Sequence, residues 1–182
     1  MDAILATLTI LQADTVPGGV VSLVGQNVYG GQLPEHFNPE VSSTAEPAGD
    51  GPAITLEVKG GSSHPEMPLQ EVDVQVRVWA GINANFLARS IYNRCFQVLH
   101  GLCDVNAGGA GLVKRILATV PGTDLVDTDT GWSTIVGAFN MMIMDNGQYP
   151  VFVPVTPTET AAQYTDAAIA AITAIEDGTG QG

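Results

Sequence analysis

From Val72 to Val78 every second residue is valine, while Asp73, Gln75, Arg77 and Trp79 take the alternate positions. A period of two marks a strand with one covered face. Ile54, Leu56 and Val58 alternate with Thr55, Glu57 and Lys59 in the same way, so a hairpin of these two strands is expected. After Gly81 the period changes. Phe86, Leu87, Ile91, Cys95, Val98, Leu99 and Leu102 recur at helical spacing with Arg89, Asn93 and Gln97 outside, and Asn83 or Asn85 is placed to cap. Such a helix should lie across the valine face. Leu112–Val120 reads as another strand, closed by a turn at Pro121-Gly122 and an acidic stretch from Asp124 to Asp129. Trp132–Met144 is apolar at both alternating sets of positions, which fits a central, buried strand.

The flanks carry the remaining elements. Asp2 can cap a helix through about Ala13, with Ile4, Leu5, Leu8 and Leu11 on one stripe and Pro17-Gly18-Gly19 as its stop. The apolar run Val20–Val24 leads to a brief strand at Asn27–Gly31. Two loops are expected, over 33–52, which is rich in proline, serine and glycine, and over 60–70, opening at Gly60-Gly61-Ser62-Ser63. Thr156-Pro157-Thr158-Glu159 has the threonine, first-turn proline and third-position glutamate of a capping box. The helix it would start, to about Glu176, presents only the thin stripe Tyr164, Ala168, Ile172 and Ile175, suited to close packing on another element. The expected fold is α+β: a mostly antiparallel sheet of about four strands, a helix across one face, an N-terminal helix and an extra C-terminal helix. Residues 1–156 form the main domain and 157–182 a helical arm.

Charge adds a constraint on partners. The 182 residues carry 19 acidic and six basic side chains, a net charge of −13, and only 14% are charged. All six cations (Lys59, Arg77, Arg89, Arg94, Lys114 and Arg115) lie in the middle of the chain. So few cations cannot displace the counterions around a broad nucleic-acid face, although an acidic surface can surround DNA without holding it. The low charge density suggests that something other than water covers part of the surface. Met1-Asp2-Ala3-Ile4-Leu5 has no basic stretch, and no apolar run approaches a bilayer-spanning length, so a cytosolic chain without membrane insertion is expected.

Candidate chemistry is sparse. His36, His64 and His100 have no accompanying nucleophile signature. Gly108-Gly109-Ala110-Gly111 lacks the lysine of a phosphate loop and reads as a turn. Asp127-Thr128-Asp129-Thr130-Gly131 resembles half a calcium loop but lacks the downstream glutamate. Cys95, His100 and Cys103 are spaced so that one helix would scatter them around its circumference, and the two cysteines are expected to be buried free thiols. Met141, Met142 and Met144 are expected to fill core. No catalytic residue, cofactor or metal is assigned. The alternative enzyme reading places a small metal-dependent site around Asp124, Asp127 and Asp129.

The order of pieces (N-terminal helix, Val28-Tyr29 step, proline-rich loop, strand Ile54–Val58, valine strand, helix Phe86–Leu102, and Gly131-Trp132 leading to a final strand) resembles the tail-completion or tail-terminator proteins of long, non-contractile-tailed bacteriophages. The resemblance covers roughly residues 2–146 and rests on order and pattern. It implies a virion tail or neck protein, assembled in the host cytoplasm, that forms a hexameric ring on the tail tube, ends tube polymerisation and offers a surface for head-tail joining. The implied partners are further copies of the chain, the tail tube protein and a head-side neck or connector protein, with DNA passing through the lumen unbound. Another neck component, a connector or stopper, is the alternative. The expected interface residues are Glu35, Glu40, Glu46, Asp50, His64 and Glu66 in the loops, and Tyr164, Ile172 and Ile175 in the arm.

Overall fold

The computed structural model describes residues 2–40, 50–64 and 66–144. Helix α1 (Ala3–Gln12) starts at the expected cap: the Leu5 N–H donates to Asp2 Oδ1 at 3.0 Å. Its phase is turned from the expected stripe. Ala3, Ala6, Thr7, Ile10 and Leu11 are buried, Ile4 and Leu8 are half-buried, and Leu5 is exposed. Small side chains let the helix approach closely, so alanines face inward and a leucine stays out. Val20–Val24 is a short helix, α2.

The strands are β1 (Val28–Gly30), β2 (Ala53–Ser63), β3 (Leu69–Ile82), β4 (Cys103–Asn106), β5 (Leu112–Val126) and β6 (Trp132–Met144). Among the described residues they form one six-stranded sheet in the order β1-β2-β3-β6-β5-β4, which corrects the expected four strands. Four of the five pairings are antiparallel, and β1 joins β2 in parallel. The added edge strand β4 has only four residues, too few to show a periodic pattern.

Two expected loops prove to be strand. Gly60–Ser63 continues β2 and pairs with Gln70–Asp73 of β3 past a bulge at Val58/Gly60, so the expected loop over 60–70 shrinks to the hairpin end after Ser63. The expected turn at Pro121-Gly122 lies inside β5, which runs to Val126 with irregularities at Ala118/Val120 and Val120/Thr123. A proline is tolerated there because its missing N–H falls on a strand edge or bulge. Helix α3 (Asn85–Leu99) is shorter than expected, and neither Asn83 nor Asn85 caps it; Ala84 holds that position without a side-chain bond. Phe86, assigned to the buried stripe, is 90% exposed at the first turn.

The core lies between the helices and one sheet face. Val72, Val74, Val76, Val78 and Ala80 of β3 stand opposite Met141, Phe139, Gly137, Ile135 and Ser133 of β6. All ten of these are buried. Ile91, Tyr92, Cys95 and Leu99 of α3 and Ala6, Ile10 and Leu11 of α1 join the same cluster. Burial of apolar area at about 25 cal/mol per Å² drives this packing. Burial also pushes the Cys95 thiol up to about 12, so it is an inert core residue, whereas Cys103 is exposed against expectation because it sits on edge strand β4.

Candidate assembly surface

Among the described residues no helix covers the other sheet face. Asp73, Gln75, Arg77 and Trp79 of β3 lie beside Asn140, Ala138, Val136 and Thr134 of β6, and β5 adds Leu117, Val120 and Leu125. Those three are 37%, 47% and 45% exposed, so this face mixes apolar and polar side chains open to solvent. Met142 and Met144 stand half-buried on this face while Met141 is in the core, so the methionines divide between the two faces.

One end of the open face is a groove of ≈ 380 Å³, lined among others by Thr55, Arg77, Trp79, Asp127 and Trp132. Trp79 donates from Nε1 to Thr55 Oγ1 at 3.0 Å and meets Trp132 edge-on at 6.4 Å. The Arg77 guanidinium lies 5.2 Å from the Trp79 ring centroid. The other five cations each have a carboxylate partner: Lys59 with Glu57, Arg89 with Asp124, Arg94 with Asp14, Lys114 with Asp104 and Arg115 with Glu71. This pairing leaves little free positive charge to hold phosphates.

The acidic turn 127–131 is a structural device. Asp127 Oδ1 accepts from the Asp129 N–H at 3.1 Å, from the Thr130 N–H at 2.9 Å and from the Thr130 hydroxyl at 2.9 Å. These donors, first the Thr130 N–H, hold its carboxyl below the usual range, and Gly131 closes the hairpin at φ +74°. Among the described residues no group of three or more His, Cys, Asp or Glu is placed to share a metal ion. Asp127→Ala should lower stability by about 1 kcal/mol, a fall of about 2–4 °C in melting temperature by scanning calorimetry.

The expected interface residues fall into distinct places. Glu35 is exposed beside His36, at 3.8 Å. Glu40 and Asp50 are engaged within the chain: Glu40 Oε1 accepts from the Ile82 N–H at 2.9 Å, and Asp50 Oδ2 accepts from the Asn38 N–H at 2.8 Å. The Asp50 N–H also donates to the Asn38 carbonyl at 2.7 Å, tying the neck of the proline-rich loop. His64 and Glu66 are exposed at the β2–β3 hairpin end, where the Glu66 N–H donates to His64 Nδ1 at 3.4 Å. Glu46, Tyr164, Ile172 and Ile175 lie outside the described residues, as does the whole arm 157–182. His100 takes a role the sequence did not show. Its Nδ1 accepts from the Ala118 N–H at 3.1 Å, covering an edge amide of β5.

The sequence pattern also did not show the ends of two strands, Gly60–Ser63 of β2 and Pro121–Val126 of β5, which among the described residues have a partner on one side only. β1 borders β2 only over Ile54–Leu56, and β4 borders β5 only over Leu112–Arg115. Glycine, serine and proline in those ends hid them as strands. Among the described residues no helix is long and apolar enough to cross a membrane.

No family model and no curated protein matches the sequence. Among solved structures, the fold is similar to that of a chain in the virion of a native gene transfer agent particle. Identity is 16% and the TM-score 0.55, over 79% of this chain and 95% of that chain. At this identity the likeness is one of fold.

Proposed function

We propose that this chain is a structural virion protein of a tailed phage or phage-like particle, and within it the tail terminator: a ring that caps the tail tube, ends its polymerisation and joins it to the head. The observation that carries this reading is the likeness in fold to a virion chain along nearly that chain's whole length. Three features of the molecule support it. The sheet has one face buried under helices and one open apolar-polar face, as suits a wall built by several copies. Five of the six cations are held in ion pairs, so an acid-rich surface is left for DNA to slide past without lodging. The hairpin end at His64 and Glu66 and the segment at Glu35 expose polar side chains that a neighbouring ring can meet. In this reading the ring is a hexamer, its partners are the tail tube protein and a head-side neck protein, and residues 157–182 brace an adjacent subunit.

The test is particle assembly without this chain. Tubes of abnormal length are expected in electron micrographs. Tails of normal length that fail to join heads would instead assign the chain to a head-side connector, and normal infectious particles would end the structural reading.

A further inference from the structure

Among the described residues the sheet ends in two strand halves with a neighbour on one side only, one at each edge. On β2, Glu57–Ser63 pairs there with β3 alone, because β1 stops opposite Leu56. On the opposite side, Gly101 and Leu102 bond Ile116, and His100 takes the Ala118 N–H. Beyond that point β5 is bordered, among the described residues, by β6 alone. Such edges are templates for another strand unless they are covered.

We propose that these two edges meet between neighbouring copies, the end of β5 of one subunit pairing antiparallel with the free half of β2 of the next, so that the ring wall is a continued sheet. The inference rests on the ring-forming reading above and names the surface that closes the ring.

Strand sense, main-chain direction and side-chain facing agree on one register. β2 and β5 run in opposite directions in the sheet, so translating one copy beside another sets the two edges antiparallel. The Ile54 N–H donates outward to Asn27 and the Leu56 carbonyl accepts outward from Gly31, so by alternation the main-chain groups of Val58 point to the free edge. At the other edge the Asp127 N–H donates inward to the Trp132 carbonyl, so those of Val126 point outward. Val58 stands opposite Val74, and Val126 opposite Ser133, both on the helix-bearing face. Their exposures are 51% and 60%. Val58 and Val126 can therefore form a hydrogen-bonded pair with both side chains on the same face, where each covers the other. In that register Glu57 comes directly opposite Asp127, and Lys59, which pairs with Glu57 in its own chain, comes diagonally opposite Asp127, so this cation lies between the two carboxylates and offsets their repulsion.

The contact is heterologous, because each copy offers a different edge to each neighbour. Such contacts do not stop at dimers, and they close into a ring where the rotation between copies closes. The free halves also sit at opposite ends of the sheet. β1 borders the start of β2 while β4 borders the start of β5, and the two strands run oppositely, so pairing needs a stagger between copies. Tilted strands in a closed barrel supply that stagger as shear. Pro121 and the irregularities at Val120 keep the regular part of the ladder to Thr123–Val126. A short ladder limits stray aggregation of the free subunit.

The experiment is disulfide trapping in the full-length chain. Val58→Cys and Val126→Cys are combined in a Cys103→Ser background, which leaves only buried Cys95 as a native thiol. A hydrogen-bonded pair has Cα atoms about 5.5 Å apart, within disulfide reach. The protein is oxidised with diamide, alone and with tail tubes added, and run on non-reducing gels beside light scattering. The expected result is a ladder of covalent multimers up to the ring size from the double variant, and none from either single variant. Val58→Asp should leave the monomer's melting curve unchanged and weaken assembly at least tenfold. Assembled rings that give no ladder, and that Val58→Asp leaves intact, would overturn the edge pairing and keep the ring reading. A protein that stays monomeric with and without tubes would overturn both.

Discussion

Gly137→Ala is expected to cost about 3 kcal/mol, as overpacking of a close-fitted core does at the upper part of its usual range, and to lower the melting temperature by about 6–12 °C. Gly137 lies in the middle of the central strand β6, opposite Val76, on the face that carries the helices. The Tyr92 ring of α3 lies directly on it: a Cβ added at Gly137 would overlap the hydroxyl oxygen and lie 2.6 Å from Cζ and 2.8 Å from Cε2. The same ring bears on Gly122 of β5, where an added Cβ would be 2.6 Å from Cδ1. Tyr92 thus fills the space of two missing side chains on neighbouring strands, and it is 3% exposed. Relief would require α3 to lift, yet Arg89, one turn earlier, is held by the Gly122 carbonyl at 3.0 Å and by Asp124. The Tyr92 hydroxyl is buried without a hydrogen-bond partner among the described residues, and burial raises its titration above the ordinary phenol value. Tyr92→Phe is therefore expected to cost nothing or to stabilise by up to about 1 kcal/mol. Combined with Gly137→Ala it should recover part of the penalty, because the most severe overlap is with the oxygen it removes. A double-mutant cycle by urea unfolding reads this directly. Additive effects of the two substitutions would show that the ring does not bear on Gly137.

The parts of the fold that were legible in the sequence are those where local pattern and tertiary burial agree. The valines of β3 alternate because one face meets α3 and α1, and the Asp2 cap is a contact within one turn. The apolar β6 reads as central because it is paired on both sides. Where local preference and context conflict, the sequence misleads. Gly60–Ser63 has the composition of a loop, yet β3 offers Gln70–Asp73 as a ladder and the segment pairs with it. Pro121-Gly122 has the composition of a turn, yet β6 continues alongside and Tyr92 needs a glycine beneath its ring. Helical periodicity placed a stripe on α1 and α3 but not its edges, so Leu5 and Phe86 were assigned inward when both face solvent. For the candidate surface, charge alone pointed to Glu40 and Asp50 as contact residues. Both proved to be acceptors for the chain's own backbone, which needed a partner 42 residues from Glu40 to be seen. The free edges of β2 and β5 were illegible for the same reason: an edge is defined by what is absent beside it, and that is a property of the whole sheet.

The second large effect concerns the ion pair of Asp14 and Arg94, which among the described residues has the most covered carboxylate. Asp14, in the turn between α1 and α2, accepts from Arg94 Nε at 2.8 Å and Nη2 at 2.6 Å, and its Oδ2 also accepts from the Val20 N–H at 2.7 Å. The carboxylate thereby fixes the start of α2 and ties both N-terminal helices to α3. The side chains are 8% exposed for Asp14 and 30% for Arg94, so losing either partner is not symmetric. Arg94→Met would leave a largely covered carboxylate without its cation and is the more destabilising of the two losses. Asp14→Asn keeps an acceptor for Val20 and leaves an arginine that water can reach, so its cost should be smaller, about 1–2 kcal/mol. The Arg94 hydrogen bonds hold the Asp14 carboxyl below its ordinary value. A carboxyl depressed on folding contributes stability that is complete above its unfolded value, about 3.9, and is lost as pH falls through the folded value. In Arg94→Met, burial, which raises the carboxyl, and the Val20 N–H, which lowers it, act against each other, so the depression due to Arg94 and the pH dependence that follows from it are lost. The difference in unfolding free energy between wild type and Arg94→Met should thus be largest at pH 7 and shrink steadily below pH 4. Urea unfolding across that range measures it, and a difference that stays constant with pH would mean that Arg94 stabilises the helices by packing its aliphatic stem, not by pairing with Asp14.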